Sequence, residues 1–103
     1  MNNSNFFYNM GLIVMTPAVD AATKENSRFA DEVATSLGRY FRKDWGEVTE
    51  DNKVSNDEAF NHPEDMYVLG GYHTCKGKIF IITNRKSEKP GDNCTTILFD
   101  YER

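Results

Sequence analysis

Lys78 to Thr83 reads KIFIIT. Ile79, Phe80, Ile81 and Ile82 place apolar side chains on both alternations of a strand. A strand that is apolar on both faces belongs inside a sheet, so this segment is expected to be central. Met66 to Tyr72 precedes it as a second strand, joined by a five-residue hairpin loop, His73 to Gly77, with its glycine placed late. After it comes a polar loop, Asn84 to Asn93, with a Pro90-Gly91 turn signal. Thr95 to Tyr101 then reads as the last strand, with Ile97, Phe99 and Tyr101 on one face and Leu98 on the other.

Toward the N-terminus the period changes. Phe29, Val33, Leu37, Tyr40 and Phe41 recur at helical intervals, so a helix with one oily face is expected there. Asn26 or Ser27 can cap it, since either side chain can accept from an orphan amide. Asp31 and Glu32 come early in it, and Arg39, Arg42 and Lys43 late, as the helix dipole favours. Gly38 within it is a mild weakness. Trp45-Gly46 ends this helix, and Trp45 reads either as a core closure or as a partner anchor. Thr49 caps a second helix that runs to about Asn61 and stops before Pro63. Its apolar side is thin: Val54, Ala59 and Phe60, with Val48 at the entry. Leu12 to Met15 reads as a buried strand ended by Thr16-Pro17, and Ala18 to Glu25 as a connection. Residues 1–10 are Asn-rich and expected to be loose at their start. The order β-α-α-β-β-β gives one α+β domain over residues 11–103: a small antiparallel sheet covered by two helices. At 103 residues with 13% aromatics, one compact core is feasible.

Charge is concentrated in Asp44 to Asp65, DWGEVTEDNKVSNDEAFNHPED. Asp44, Glu47, Glu50, Asp51, Asp57, Glu58, Glu64 and Asp65 oppose one base, Lys53, so eight acids less one base give −7 in a chain of total −4. Such a surface can be a solvated helix face, or it can compete for a groove built to hold nucleic acid. Lys76, Lys78, Arg85, Lys86 and Lys89 form the opposite feature, a basic loop that could touch phosphates or simply deter sheet-edge pairing. An acidic chain disfavours generic nucleic-acid binding.

No run is long enough for a membrane span, and the start lacks the pattern of a signal peptide. Cys75 and Cys94 are then most simply reduced thiols, although neighbouring strands would allow a bridge between them. His73, Cys75, Cys94 and His62 could ligate a metal, but their spacing lacks the tight pairs of structural zinc sites. Cys75 two residues from His73 lacks the polar support of a nucleophile-base pair. Gly70-Gly71 reads as a bulge rather than a phosphate cradle. Neither a cofactor nor a metal nor a catalytic residue is expected.

Four stretches in order, Gly11–Thr16 (GLIVMT), Asp44–Glu58 (DWGEVTEDNKVSNDE), Lys78–Thr83 (KIFIIT) and Thr95–Phe99 (TTILF), resemble a family of small proteins of plasmids, phages and integrative elements. That family is labelled "plasmid-related protein". Its pattern is a strand ending in threonine, a helix, a D-W-G-[DE] motif leading into an acidic segment, a K-I-W-I-I-T strand and a T-T-[IV]-L-[FL] strand. The chain departs from it in the longer, more basic segment Asn84 to Asn93 and in Phe80, where the family often has tryptophan. Length and composition are also similar to those of a gut-metagenome anti-CRISPR member. The resemblance implies an inhibitor of type II-A Cas9 in the bacterial cytoplasm that binds Cas9, or Cas9 with its guide RNA, without modifying it. Asp44, Glu47, Glu50, Asp51, Asp57 and Glu58 are the residues expected to meet a positively charged channel. A mobile-element accessory module with another protein partner is the alternative, and a cryptic enzyme or zinc protein on His73, Cys75 and Cys94 a third reading.

Overall fold

The computed structural model describes residues 10–62, 67–85 and 93–103. Among these, strand β1 (Leu12–Met15) is followed by three helices, α1 (Pro17–Glu25), α2 (Ser27–Phe41) and α3 (Glu50–Ala59). Strands β2 (Tyr67–Thr74), β3 (Gly77–Arg85) and β4 (Asn93–Phe99) follow, and a 3-10 turn, Asp100–Glu102, comes after them. The class is α+β with a small sheet, in the order β1-β4-β3-β2. The sheet is mixed rather than antiparallel, because β1 runs parallel to β4 with Leu12 opposite Cys94 and Met15 opposite Ile97. β3 is central, antiparallel to both neighbours, with Ile81 opposite Gly70 on one side and Ile97 on the other.

Where a connection was expected, α1 forms. Thr16 is its N-cap and accepts from the Val19 amide (3.3 Å), and Pro17 occupies the first turn. Thr16-Pro17 therefore stops a strand and starts a helix at once. Only Val19 and Ala22 of α1 are buried, too few for a visible period. Asn26 serves both helices. Its amide closes α1 on Ala22, and its Oδ1 accepts from Phe29 (3.0 Å) to open α2. Phe29, Val33 and Tyr40 of α2 are buried as the spacing predicts.

One continuous core lies between the helices and one sheet face: Val19, Phe29, Val33, Tyr40 and Trp45 against Val68, Tyr72, Ile79, Ile81, Ile97 and Phe99. A chain of hydroxyls crosses it. Tyr40 shares its proton between Thr83 (2.8 Å) and the Val68 carbonyl (3.1 Å), Thr83 donates to Thr95 (2.7 Å), and Thr95 donates to the Met10 carbonyl (2.7 Å). Burial pushes the Tyr40 phenol up, so it stays a neutral donor. Met10 is thus fixed in the core, and the start of the segment, residues 1–9, lies outside the described residues.

Other expectations shift. β1 is an exposed edge strand, not a buried one. The hairpin loop is the two-residue turn Cys75-Lys76, closed by Gly77 at φ 103°. β4 stops at Phe99; Tyr101, in the 3-10 turn, stacks on Phe99 and stays exposed. Gly70 and Gly71 pair regularly with Ile81 and Phe80, so no bulge forms there. They are needed for close approach: a Cβ on Gly70 would meet the Tyr72 hydroxyl and the Tyr40 ring. Cys75 and Cys94 are free thiols at opposite ends of β3, since Cys94 lies opposite Asn84. Of the polar loop, residues 86–92 lie outside the described residues.

Candidate functional site

The segment from Asp44 to Phe60 is built onto the outer edge of β2. α2 ends at Phe41, and Lys43 takes φ 62° to turn the chain. Arg39 then grips Asp44 with two hydrogen bonds, Nε to Oδ2 (2.8 Å) and a terminal nitrogen to Oδ1 (3.2 Å). The Gly46 amide also donates to Asp44 Oδ1 (3.2 Å), and Tyr72 donates to the Asp44 carbonyl (2.8 Å). Trp45 is buried, edge-on to Tyr40 and stacked on Phe60, so it closes the core rather than anchoring a partner. Its indole nitrogen donates to Asp57 Oδ1 (3.2 Å).

Next, the backbone pairs with β2. Gly71 donates to the Trp45 carbonyl (2.9 Å), and Glu47 donates to the Gly71 carbonyl (2.7 Å). Thr49 caps α3 by accepting from Asn52 (3.1 Å). One turn on, Asn56 is 2% exposed and behaves as a piece of strand. Its amide nitrogen donates to the Leu69 carbonyl (2.8 Å), and its Oδ1 accepts from the Leu69 amide (3.0 Å). Asn56 and the bridge at Gly71 therefore seal the β2 edge.

This anchoring sets the rotation of α3. With Asn56 inward, Glu50, Asp51, Val54, Asp57 and Glu58 point outward. The six expected residues share this side of the molecule, but in two roles. Asp44 and Asp57 hold the fold, through Arg39 and Trp45. Glu47, Asp51 and Glu58 are exposed and make no hydrogen bond or ion pair through their carboxylates among the described residues, and Glu50 meets only Lys53 (3.4 Å). Glu50 and Asp51 also sit in the first turn of α3, where the helix dipole welcomes them. Glu64 and Asp65 lie outside the described residues.

Val54 was expected to face inward and does the reverse. It is 63% exposed and, with Ser55, Glu58, Ala59, His62 and Tyr67, lines an open groove of about 390 Å³ between α3 and the start of β2. Tyr67, 47% exposed, forms its far wall. Periodicity could not find this groove: Ala59 and Phe60 pack against the core as expected, but the buried Asn56, not Val54, completes the inward side of the helix.

Of the five expected basic residues, three are described and they spread along β3 and the turn before it. Lys76 lies in the β2–β3 turn, and Lys78 donates to the Glu47 carbonyl (2.8 Å) while sitting 5.2 Å from the Phe80 ring centroid. Arg85 closes β3 at its other end, roughly 23 Å from Lys78 at the usual strand rise. Lys86 and Lys89 lie outside the described residues. Among the described residues no three His, Cys, Asp or Glu side chains come together to hold a metal ion. Cys75 has Glu32 beside it, whose Oε1 accepts from the Cys75 amide (2.9 Å). That carboxylate pushes the thiol up, away from the thiolate a nucleophile needs. No helix among the described residues is long and apolar enough to cross a membrane.

The Arg39 pair, aided by the Gly46 amide, holds the Asp44 carboxyl below its ordinary value. A depressed carboxyl contributes stability above its unfolded pKa, which is lost as pH falls through the folded one. Asp44→Asn is therefore expected to lower stability at pH 7 by under about 1 kcal/mol, the pair being half-exposed. The gap should narrow as pH falls from 7 into the acid range and close only once pH has passed below the depressed folded value, where Asp44 is protonated in the folded protein too. Urea unfolding at pH 7 and through the acid range measures this; a constant gap would assign the loss to geometry instead.

No family model, no curated protein and no solved structure matches this chain.

Proposed function

We propose that this protein is a non-catalytic inhibitor that binds a basic, nucleic-acid-holding surface of another protein, and that its partner is type II-A Cas9, alone or with guide RNA. The supporting observation is the set of exposed, uncommitted carboxylates, Glu47, Asp51 and Glu58 with Glu50, carried on a helix fixed to a sheet edge. A rigid helix presents charge without losing backbone freedom at binding. Duplex DNA carries one charge per roughly 1.7 Å, and a row of carboxylates offers a Cas9 channel the same sign of field. The resemblance in GLIVMT, DWGEV, KIFIIT and TTILF directs the reading to this partner and to the bacterial cytoplasm.

Neutralising Glu47, Glu50, Asp51 and Glu58 to their amides is the test. Asp44 and Asp57 are left alone because they hold Arg39 and Trp45. The folded variant is expected to bind Cas9 at least about tenfold more weakly, a loss of about 1.4 kcal/mol. Added salt should erase the difference between the two proteins. Undiminished inhibition by the folded variant would remove the acidic face from the mechanism.

A second reading is an accessory module of mobile elements with a different protein partner. The groove favours it: Val54 and Tyr67 offer apolar contact that charge mimicry does not need. Binding that survives high salt but is lost in Val54→Asp would support this reading.

A further inference from the structure

The two edges of the sheet are treated oppositely. On β2, Asn56 occupies Leu69 and the Trp45–Glu47 segment occupies Gly71. On β1, no described strand lies outward of Leu12–Met15. Thr16 donates to the Ile97 carbonyl, so in a parallel ladder the amides and carbonyls of Leu12, Val14 and Thr16 face β4. Those of Ile13 and Met15 face away. Natural edges are usually blunted by charge, proline or a bulge. Here Leu12, Ile13 and Met15 are 69%, 39% and 38% exposed, three of the six exposed large hydrophobics among the described residues. The run Gly11 to Pro17 contains no ionisable side chain.

We propose that β1 pairs with β1 of a second copy of this chain, antiparallel, about a two-fold axis through Val14. The register follows from the outward groups. Ile13 of each copy meets Met15 of the other, and each residue gives one donor and accepts at one carbonyl, so the set closes on itself. Val14 then faces Val14 in the close, non-hydrogen-bonded position. A second copy fits where a charged partner does not. The chain is net −4, and two copies meeting along an uncharged strand bring no like charges into register. The product is one continuous sheet through both copies, with both acidic faces left at its far ends beside β2. Four residues per edge make this a small contact, so the dimer is weak and reversible. This assembly does not depend on Cas9 being the partner.

Sedimentation equilibrium of the full chain from about 10 μM to 1 mM tests it, at concentrations where weak contacts of this size populate. The mean mass is expected to rise toward twice that of one chain. Ile13→Pro removes an outward amide without touching the β4 ladder, and it should hold the mass at one chain. As a positive test, Val14→Cys in a Cys75→Ser background should cross-link on mild oxidation, because the close pair suits disulfide geometry. Ser55→Cys in the same background, on exposed α3, should not. A constant single-chain mass, association that survives Ile13→Pro, or cross-linking no faster than at Ser55→Cys would each overturn the proposal.

Discussion

Gly46→Ala is expected to destabilise the protein by about 3–5 kcal/mol, a large share of the 5–15 kcal/mol typical of a domain. Two costs add. Gly46 has φ 72°, where an L side chain costs roughly 1–2 kcal/mol. A Cβ there would also run into the Gly71 carbonyl and the Tyr72 ring. Relief requires the 45–47 segment to leave β2, which breaks both hydrogen bonds to Gly71 and loosens the Asp44 turn. Gly77→Ala separates the two costs. Gly77 has φ 103° but nothing within 4 Å of its Cβ position, so only the backbone cost of about 1–2 kcal/mol should appear. Urea unfolding of both variants gives the comparison. Equal losses would mean the Gly46–Gly71 contact is not tight.

Asn56→Ala is expected to lower stability by about 2–4 kcal/mol, because it strips partners from a buried amide and a buried carbonyl of Leu69 together. Amide exchange at Leu69 should accelerate more than exchange at Ile81 in the sheet centre. Asn56→Asp keeps an acceptor for the Leu69 amide but sets a carboxylate against the Leu69 carbonyl, so it should rescue nothing. A loss below about 0.5 kcal/mol in Asn56→Ala would show that α3 is held by its apolar contacts instead. Both substitutions also bear on function, since each would free the helix that carries the exposed carboxylates.

These two positions mark the boundary of what the chain discloses. The α2 helix is legible because Phe29, Val33 and Tyr40 obey one period and Asn26 announces the start. β3 is legible as central because Ile79, Phe80, Ile81 and Ile82 leave no polar face. α1 is obscured because two buried residues make no period and Thr16-Pro17 signals both a strand end and a helix start. β1 looks buried because a short apolar run reads alike at an edge and in a centre. Its parallel pairing with β4 is a non-local choice to which no local signal points.

For the candidate site, the charge excess was visible and its division was not. Nothing in the string distinguishes Asp57, which takes the Trp45 indole proton, from Glu58, which faces the groove. Asn56 carried no signal at all, since asparagine in a polar helix reads as a surface residue. Only the β2 edge reveals why it is there. Among the basic residues, β3 sets Lys78 and Arg85 at opposite ends of one strand, a separation that the run of bases in the sequence does not announce.

The central claim, that the acidic face engages Cas9, is tested most directly by co-elution of the full chain with a type II-A Cas9, without guide RNA, with it, and with target DNA already bound. A stable complex that blocks target cleavage, and that prebound DNA prevents, is the expected result. Separate elution in all three conditions, with cleavage unaffected, would contradict the account.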